Sequence, residues 1–219
     1  MSLNRFEIIP SILTNDPLEL RDMMERCEGV VERVSIDIID GKFVDNKTID
    51  PSFLSDFDTS LKIDYQLMVD EPVHWVEKCV RGQADRIIGH IEKMTDQLKF
   101  VVKRQEVGTL IGLAINLETP VEMLDPMVLT DLDVVLVMSA NVGFGGQPFA
   151  AKVLGKIEEL NKMRDKDKYR FKIQVDGGIN EESIYNVYKA GADEVSVGRK
   201  LFNGNLMSNV EKLVKLIKI

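Results

Sequence analysis

The chain has 219 residues, 44% apolar and 29% charged, with a formal net charge of −8. That length and balance suit a single α/β domain over residues 1–219 with a sizeable core, and they exclude a disordered chain. Charges of both signs are scattered without a basic stripe, so nucleic acid is not an expected partner, and no segment approaches the roughly 20 apolar residues that span a bilayer.

From the N-terminus, Met1-Ser2-Leu3-Asn4-Arg5 lacks the apolar run of a secretory signal. Beyond it, short apolar or period-two runs alternate with longer amphipathic ones, the pattern of repeated βα units. Strands are expected at Glu7–Leu13, Arg33–Asp40, Lys62–Met68, Arg86–Glu92, Leu110–Asn116, Val134–Ala140, Lys172–Gly178 and Glu194–Gly198, each followed by a helix. Capping residues mark helix starts at Asn15-Asp16-Pro17, Thr95-Asp96, Thr119-Pro120 and Asn180-Glu181-Glu182. Gly29 and Gly191 mark stops, and a last helix from about Met207 to Lys218 carries Val210, Leu213, Val214 and Ile217 at helical spacing. Cys27 and Cys79 fall in helical runs and read as buried, reduced thiols, which fits a cytoplasmic setting.

Eight such units point to a closed (β/α)₈ barrel. The open doubly wound alternative would carry Gly-x-Gly-x-x-Gly after the first strand, and this chain does not. Barrel active sites lie at the C-terminal strand ends, and the two-residue strand period sorts the side chains there by face. Ser35, Asp37 and Ile39 share one face, as do Asp64, Gln66 and Met68, and Gln174 and Asp176. If those faces point inward, Asp37, Gln66 and Asp176 converge on one mouth. Two carboxylates there suit proton transfer with inversion, one removing a proton and the other returning it from the opposite face. The competing reading, an Asp that caps a turn, fits Asp40-Gly41 and competes evenly at Asp176-Gly177.

Three glycine-rich turns follow the late strands: Gly143-Phe144-Gly145-Gly146-Gln147, Gly177-Gly178 and Gly198-Arg199. Together they form an expected phosphate cradle of exposed N–H donors, with Arg199 able to grip phosphate oxygens bidentately. Two histidines remain. His74 is expected on an amphipathic helix as a surface or packing residue, with Trp75 and the scattered methionines in core or interface. His90, ending the fourth strand, is expected to face the mouth, either as a hydrogen-bonded interior histidine or as a substitute acid, electrophile or ligand.

Several segments carry a resemblance to a known family. They are Ile9-Pro10-Ser11-Ile12-Leu13, Asp37-Ile38-Ile39-Asp40-Gly41-Lys42-Phe43-Val44-Asp45-Asn46, Gln66-Leu67-Met68, Val137-Met138-Ser139-Ala140-Asn141-Val142-Gly143 through Gln147, and Val175-Asp176-Gly177-Gly178. In order and spacing the chain resembles the ribulose-phosphate 3-epimerases over nearly its whole length. The resemblance implies a TIM barrel acting on a phosphorylated pentulose or hexulose, and an assembly of more than one copy. It implies Asp37 and Asp176 as the acid/base pair, Ser11, Gln66, Met68 and His90 near substrate, and phosphate held by Gly143–Gly146, Gly177–Gly178 and Gly198–Arg199.

Departures from the family pattern cluster at the same place. The family binds a divalent metal through two histidines and two aspartates; here Ser35 and Gln66 stand at both histidine positions beside Asp37 and Asp176. Zinc and iron prefer imidazole, thiolate or carboxylate, so no metal cofactor is expected beyond weak binding of a hard cation such as magnesium. Ile39 replaces a methionine, Lys42 a histidine, Asp45 a proline and Arg199 a serine. Two readings follow: an epimerase-like isomerase working by its two carboxylates, or a sugar-phosphate-binding barrel without turnover. A decarboxylase or aldolase ranks last, since relatives with that chemistry use Asp-x-Lys-x-x-Asp and Asp37-Ile38-Ile39-Asp40 has no lysine.

Overall fold

In the computed structural model, which describes residues 6–217, eight parallel strands close in sequence order into a barrel. They are β1 (Glu7–Ile12), β2 (Arg33–Ile39), β3 (Lys62–Met68), β4 (Ala84–His90), β5 (Leu110–Ile115), β6 (Val134–Met138), β7 (Lys172–Asp176) and β8 (Glu194–Val197). Around them run α1 (Pro17–Cys27), α2 (Val76–Arg81), α3 (Gln97–Val107), α4 (Val153–Asp167), α5 (Ile184–Ala190) and α6 (Leu206–Ile217). Met1–Arg5 and Lys218, which the sequence reading included, lie outside the described residues.

Capping chemistry explains several boundaries. Asp16 accepts from Leu18 N at 2.9 Å with Pro17 in the first turn, and Asp96 accepts from Lys99 N at 2.9 Å. Asn180 caps a turn rather than a helix, accepting from the amides of Glu182 and Ser183 before α5 begins at Ile184. Along α6, Leu206 and Leu213 are buried, with Val210, Val214 and Ile217 packed beside them, which is the expected stripe.

The expectation of a helix after every strand fails twice. A single 3-10 turn, Pro51–Leu54, follows β2, and two, Val121–Met123 and Leu129–Asp131, follow β5. Pro120 and Pro126 bracket the β5 connection, each removing an amide donor and pushing the residue before it out of helical conformation. Thr119 therefore opens no helix, and its hydroxyl donates to Glu92 instead at 2.6 Å. His74 sits exposed in a 3-10 turn, Pro72–Trp75, not on an amphipathic helix. Most expected strands run one or two residues too long at their C-terminal ends, where the ladder lets go and the loops begin.

The main apolar core fills the space between sheet and helices, and both cysteines are free thiols within it. The barrel interior differs. A small apolar cluster of Ile88, Ala114, Val134, Leu136 and Met138 occupies one side. Opposite, near the strands' N-terminal ends, Arg86 is 2% exposed and its guanidinium pairs with Asp64, with Glu194 at 2.8 Å and with Gln174 Oε1 at 3.2 Å. Arg33 joins Asp64 and reaches Asp85 at 2.7 Å, while Lys172 pairs with Glu194 and lies 3.5 Å from Glu7. Strand register makes this possible, since Asp64 lies beside Arg86 and Gln174 beside Glu194. Removing one partner of a buried network leaves the others uncompensated, at a cost of about 3–5 kcal/mol. Arg86→Met is accordingly expected to lower unfolding stability by about that much in urea titrations, and Arg33→Met, nearer the rim, by less.

Candidate active site

At the C-terminal end of the barrel a cavity is lined by Ser11 and Leu13 from the β1 end, Asp37 from β2, Met68 from β3 and Met138 from β6. Its wall continues through Ala140, Asn141, Gly143–Gln147, Asp176, Gly177, Gly178, Gly198 and Arg199. A larger hollow of about 500 Å³ lies outside the barrel near Asn180, Lys200 and Lys212, but no buried polar groups converge on it.

Period-two alternation brings Asp37 and Asp176 to this mouth. Ser11 Oγ donates to Asp37 Oδ2 at 3.4 Å, and Asp37 Oδ1 is buried without a hydrogen-bond partner. Burial, and then the negative charge of Asp176, raise the Asp37 carboxyl well above the usual carboxylate range. Burial also raises Asp176, to about 6, against the opposing influence of His90 and the Gln66 amide. Both carboxyls are thus biased toward their protonated forms, as two acids that share a dry site are. Asp40 is different in kind. Its carboxylate accepts from the amides of Lys42, Phe43 and Asp70, and these bonds hold it below its ordinary value.

Depth separates the remaining polar positions. Ser35, Gln66 and His90 are fully buried and do not line the cavity; they lie in its floor. Gln66 Nε2 is 3.2 Å from His90 Nε2 and 3.1 Å from Met138 Sδ, and the edge of Phe43 covers the imidazole, ring centroids 5.3 Å apart. Ser35 Oγ and Gln66 Oε1 have no partner. The donors at the four family metal positions are therefore all oxygen or amide, two of them, at Ser35 and Gln66, sunk below the mouth. They do not fit an imidazole-and-carboxylate centre.

The glycine loops are built for close approach. Gly177 and Gly178 have φ of +116° and +64°, and a Cβ would fall 2.7 Å from Ala140 N at the first and 2.4 Å from Phe149 N at the second. Ser139 Oγ ties this turn to β6 by donating to the carbonyls of Asp176 and Gly177, at 3.0 and 2.5 Å. Gln147 Nε2 staples the Gly143–Gly146 loop by donating to the carbonyls of Asn141 and Phe144. From across the mouth, Asn46 Nδ2 donates to Gly143 O at 2.6 Å, and Val44 packs where a Gly143 side chain would be. Leu13, Asn141 and the stapling role of Gln147 were not singled out from sequence, although Asn141 and Gln147 stand inside the glycine-rich motif.

Comparison with known proteins agrees with this architecture. Residues 7–202 match the ribulose-phosphate 3 epimerase family. The chain belongs to that family. It is 36% identical over 200 residues to the ribulose-phosphate 3-epimerase of Bacillus subtilis, covering 90% of this chain and 92% of that one. The Aquifex aeolicus enzyme of the same name is 32% identical, covering 96% of each chain. Among solved structures, 3-keto-L-gulonate-6-phosphate decarboxylase from Vibrio cholerae superposes with a TM-score of 0.69 at 12% identity, covering 97% of each chain. The 3-hexulose-6-phosphate synthase of Salmonella typhimurium gives 0.68 at 14%, covering 97% of this chain and 98% of that one. At such identity these two show a shared barrel fold and no more. Among the described residues, no helix is long and apolar enough to cross a membrane.

Both mouth carboxyls bind protons more tightly in the folded chain than in the unfolded one. Their contribution to stability is therefore present at low pH and is lost as pH rises from about 4 through about 6 and beyond. Asp37→Asn is expected to raise unfolding stability at pH 7.5 and to flatten the pH dependence over that window. Thermal melts at pH 4.5 and 7.5 measure both effects.

Proposed function

We propose that this chain is a sugar-phosphate epimerase of the ribulose-phosphate 3-epimerase type that moves protons with Asp37 and Asp176 and has no resident metal. The observation that carries the reading is the pair itself: two buried carboxyls in one mouth, beside a glycine-rich cradle. A ketose phosphate would lay its phosphate against the N–H groups of Gly143–Gly146, Gly177–Gly178 and Gly198, with Arg199 supplying charge. Its carbonyl end would then lie over the two aspartates.

In one direction, ionised Asp176 removes the proton from the carbon beside the ketone, giving an enediolate. Protonated Asp37 returns a proton to the opposite face, which inverts the centre and leaves Asp37 ionised and Asp176 protonated. Exchange with solvent resets the pair, and reversal of the same two steps carries the other direction. Without a dication, charge on the enediolate falls to hydrogen bonds from cavity-lining donors such as Ser11, worth several kcal/mol in a dry site and less than a metal ion supplies. Slow turnover follows. The second reading, a binding barrel without turnover, is favoured by the same two substitutions at Ser35 and Gln66.

Deuterium is expected to enter C3 of ribulose 5-phosphate when the protein works in heavy water, at a rate that falls as pH drops below about 6. Asp176→Asn and Asp37→Asn should each slow this by about 10²–10⁴-fold, and Arg199→Ala should raise KM about tenfold while sparing kcat. NMR of the recovered sugar reads the label. Tight phosphate-sugar binding with no label would establish the binding barrel instead.

A further inference from the structure

Beneath the mouth, one line of polar atoms is left over from the proton-transfer step. Glu92, just beyond β4, spends its Oε1 on Asn116 N and the Thr119 hydroxyl, both at 2.6 Å, so this carboxylate is anchored on one side. Its Oε2 is buried with no hydrogen-bond partner and faces His90 Nδ1, likewise buried and without one, at 3.4 Å. On the other side of the ring, His90 Nε2 meets Gln66 Nε2 at 3.2 Å. An amide nitrogen carries two hydrogens and donates only, so the imidazole nitrogen facing it must accept. An imidazole accepting at Nε2 carries its proton at Nδ1, which is the nitrogen turned to the carboxylate. The two contacts therefore call for the same tautomer.

We infer that Glu92 and His90 are positioning residues for Asp176. Glu92 fixes the Nδ1–H tautomer of His90, His90 Nε2 takes one Gln66 N–H, and the amide so held, its nitrogen 3.1 Å from Met138 Sδ, keeps the Gln66 side chain against the Asp176 carboxyl. The amide nitrogen faces His90 and Met138, and Gln66 Oε1 is left buried without a partner. Phe43 packs against the imidazole in an edge-to-face arrangement, and the ring is fully buried. Through these contacts an anion outside the mouth orients a donor inside it. The inference rests on the assignment of Asp176 to proton transfer.

The test uses the full-length protein labelled with ¹⁵N. The expected result is a His90 ring protonated at Nδ1 and unprotonated at Nε2, with a Gln66 side-chain NH₂ signal, identified by its loss in Gln66→Met, that shifts in Glu92→Gln. In heavy-water exchange, Glu92→Gln and His90→Asn should lower kcat about tenfold with KM within about twofold. His90→Gln, whose amide reaches as far as Nε2, should keep most of the rate, whereas the shorter Asn side chain should not. In a Gln66→Met background, Glu92→Gln should add no further loss. A ring protonated at Nε2, an unmoved Gln66 amide signal, or a full additional loss in the double variant would overturn the inference. The nuclear signals do not depend on turnover. A parent protein that incorporates no deuterium would sink the proton-transfer assignment alone, leaving the tautomer and the amide to decide the chain of contacts.

Discussion

Arg86 carries a permanent charge into the middle of a barrel, and satisfying that charge organises much of what surrounds it. A guanidinium with five donors and almost no contact with water has to be met by anions and carbonyl oxygens from several strands at once. Asp64 from β3, Glu194 from β8 and Gln174 from β7 meet it, and each is held by a second partner: Arg33, Lys172 and Ser196. The lower half of the barrel is thereby an ionic plug with little freedom to shift. Ser196 lies beside Asp176 in the strand register, and Asp64 is two residues before Gln66 on the same strand face, so the plug fixes the height and aim of the residues above it. The mouth can hold two mutually repelling carboxyls because its foundation is rigid.

Much of this was legible in the chain. The alternation of short apolar and amphipathic runs carried the eight-unit barrel, and the two-residue period placed Asp37, Gln66 and Asp176 on inward faces. Period, however, gives side and not depth: Ser35 shares the face of Asp37 yet lies a full layer lower, and Gln66 and His90 support the floor instead of lining the cavity. The ionic plug was not legible, because Arg33, Arg86, Lys172 and Glu194 stand at or near strand starts, where charge ordinarily marks an exposed edge. Only closure of the sheet turns those edges inward toward one another. The β5 connection also differs from its expected helix, because Pro120 and Pro126 break that segment into tight turns.

Membership in the epimerase family and departure from its metal site are compatible once the two are assigned to different parts of the molecule. The family match runs over residues 7–202, which take in all eight strands, the glycine loops and Asp37 and Asp176. The departures fall on side chains that do not line the cavity, at Ser35 and Gln66, and on its rim at Arg199. Barrel geometry tolerates such exchanges because each strand end presents its side chain independently of its neighbours, which is also why structures sharing this barrel carry the names of a decarboxylase and a synthase.

The pairing of β1 with β8 has a kinetic meaning. Closing the barrel sets Glu7 beside Glu194, two carboxylates from opposite ends of the chain, and Lys172 is the cation that bridges them. Every other strand pair joins neighbours in sequence, so this seam alone needs a loop of nearly the whole chain to be closed before any contact rewards it. Like charges at the seam make an open, seven-pair sheet less sticky toward a second copy than an uncharged edge would be. The lysine then makes the intramolecular partner the favoured one.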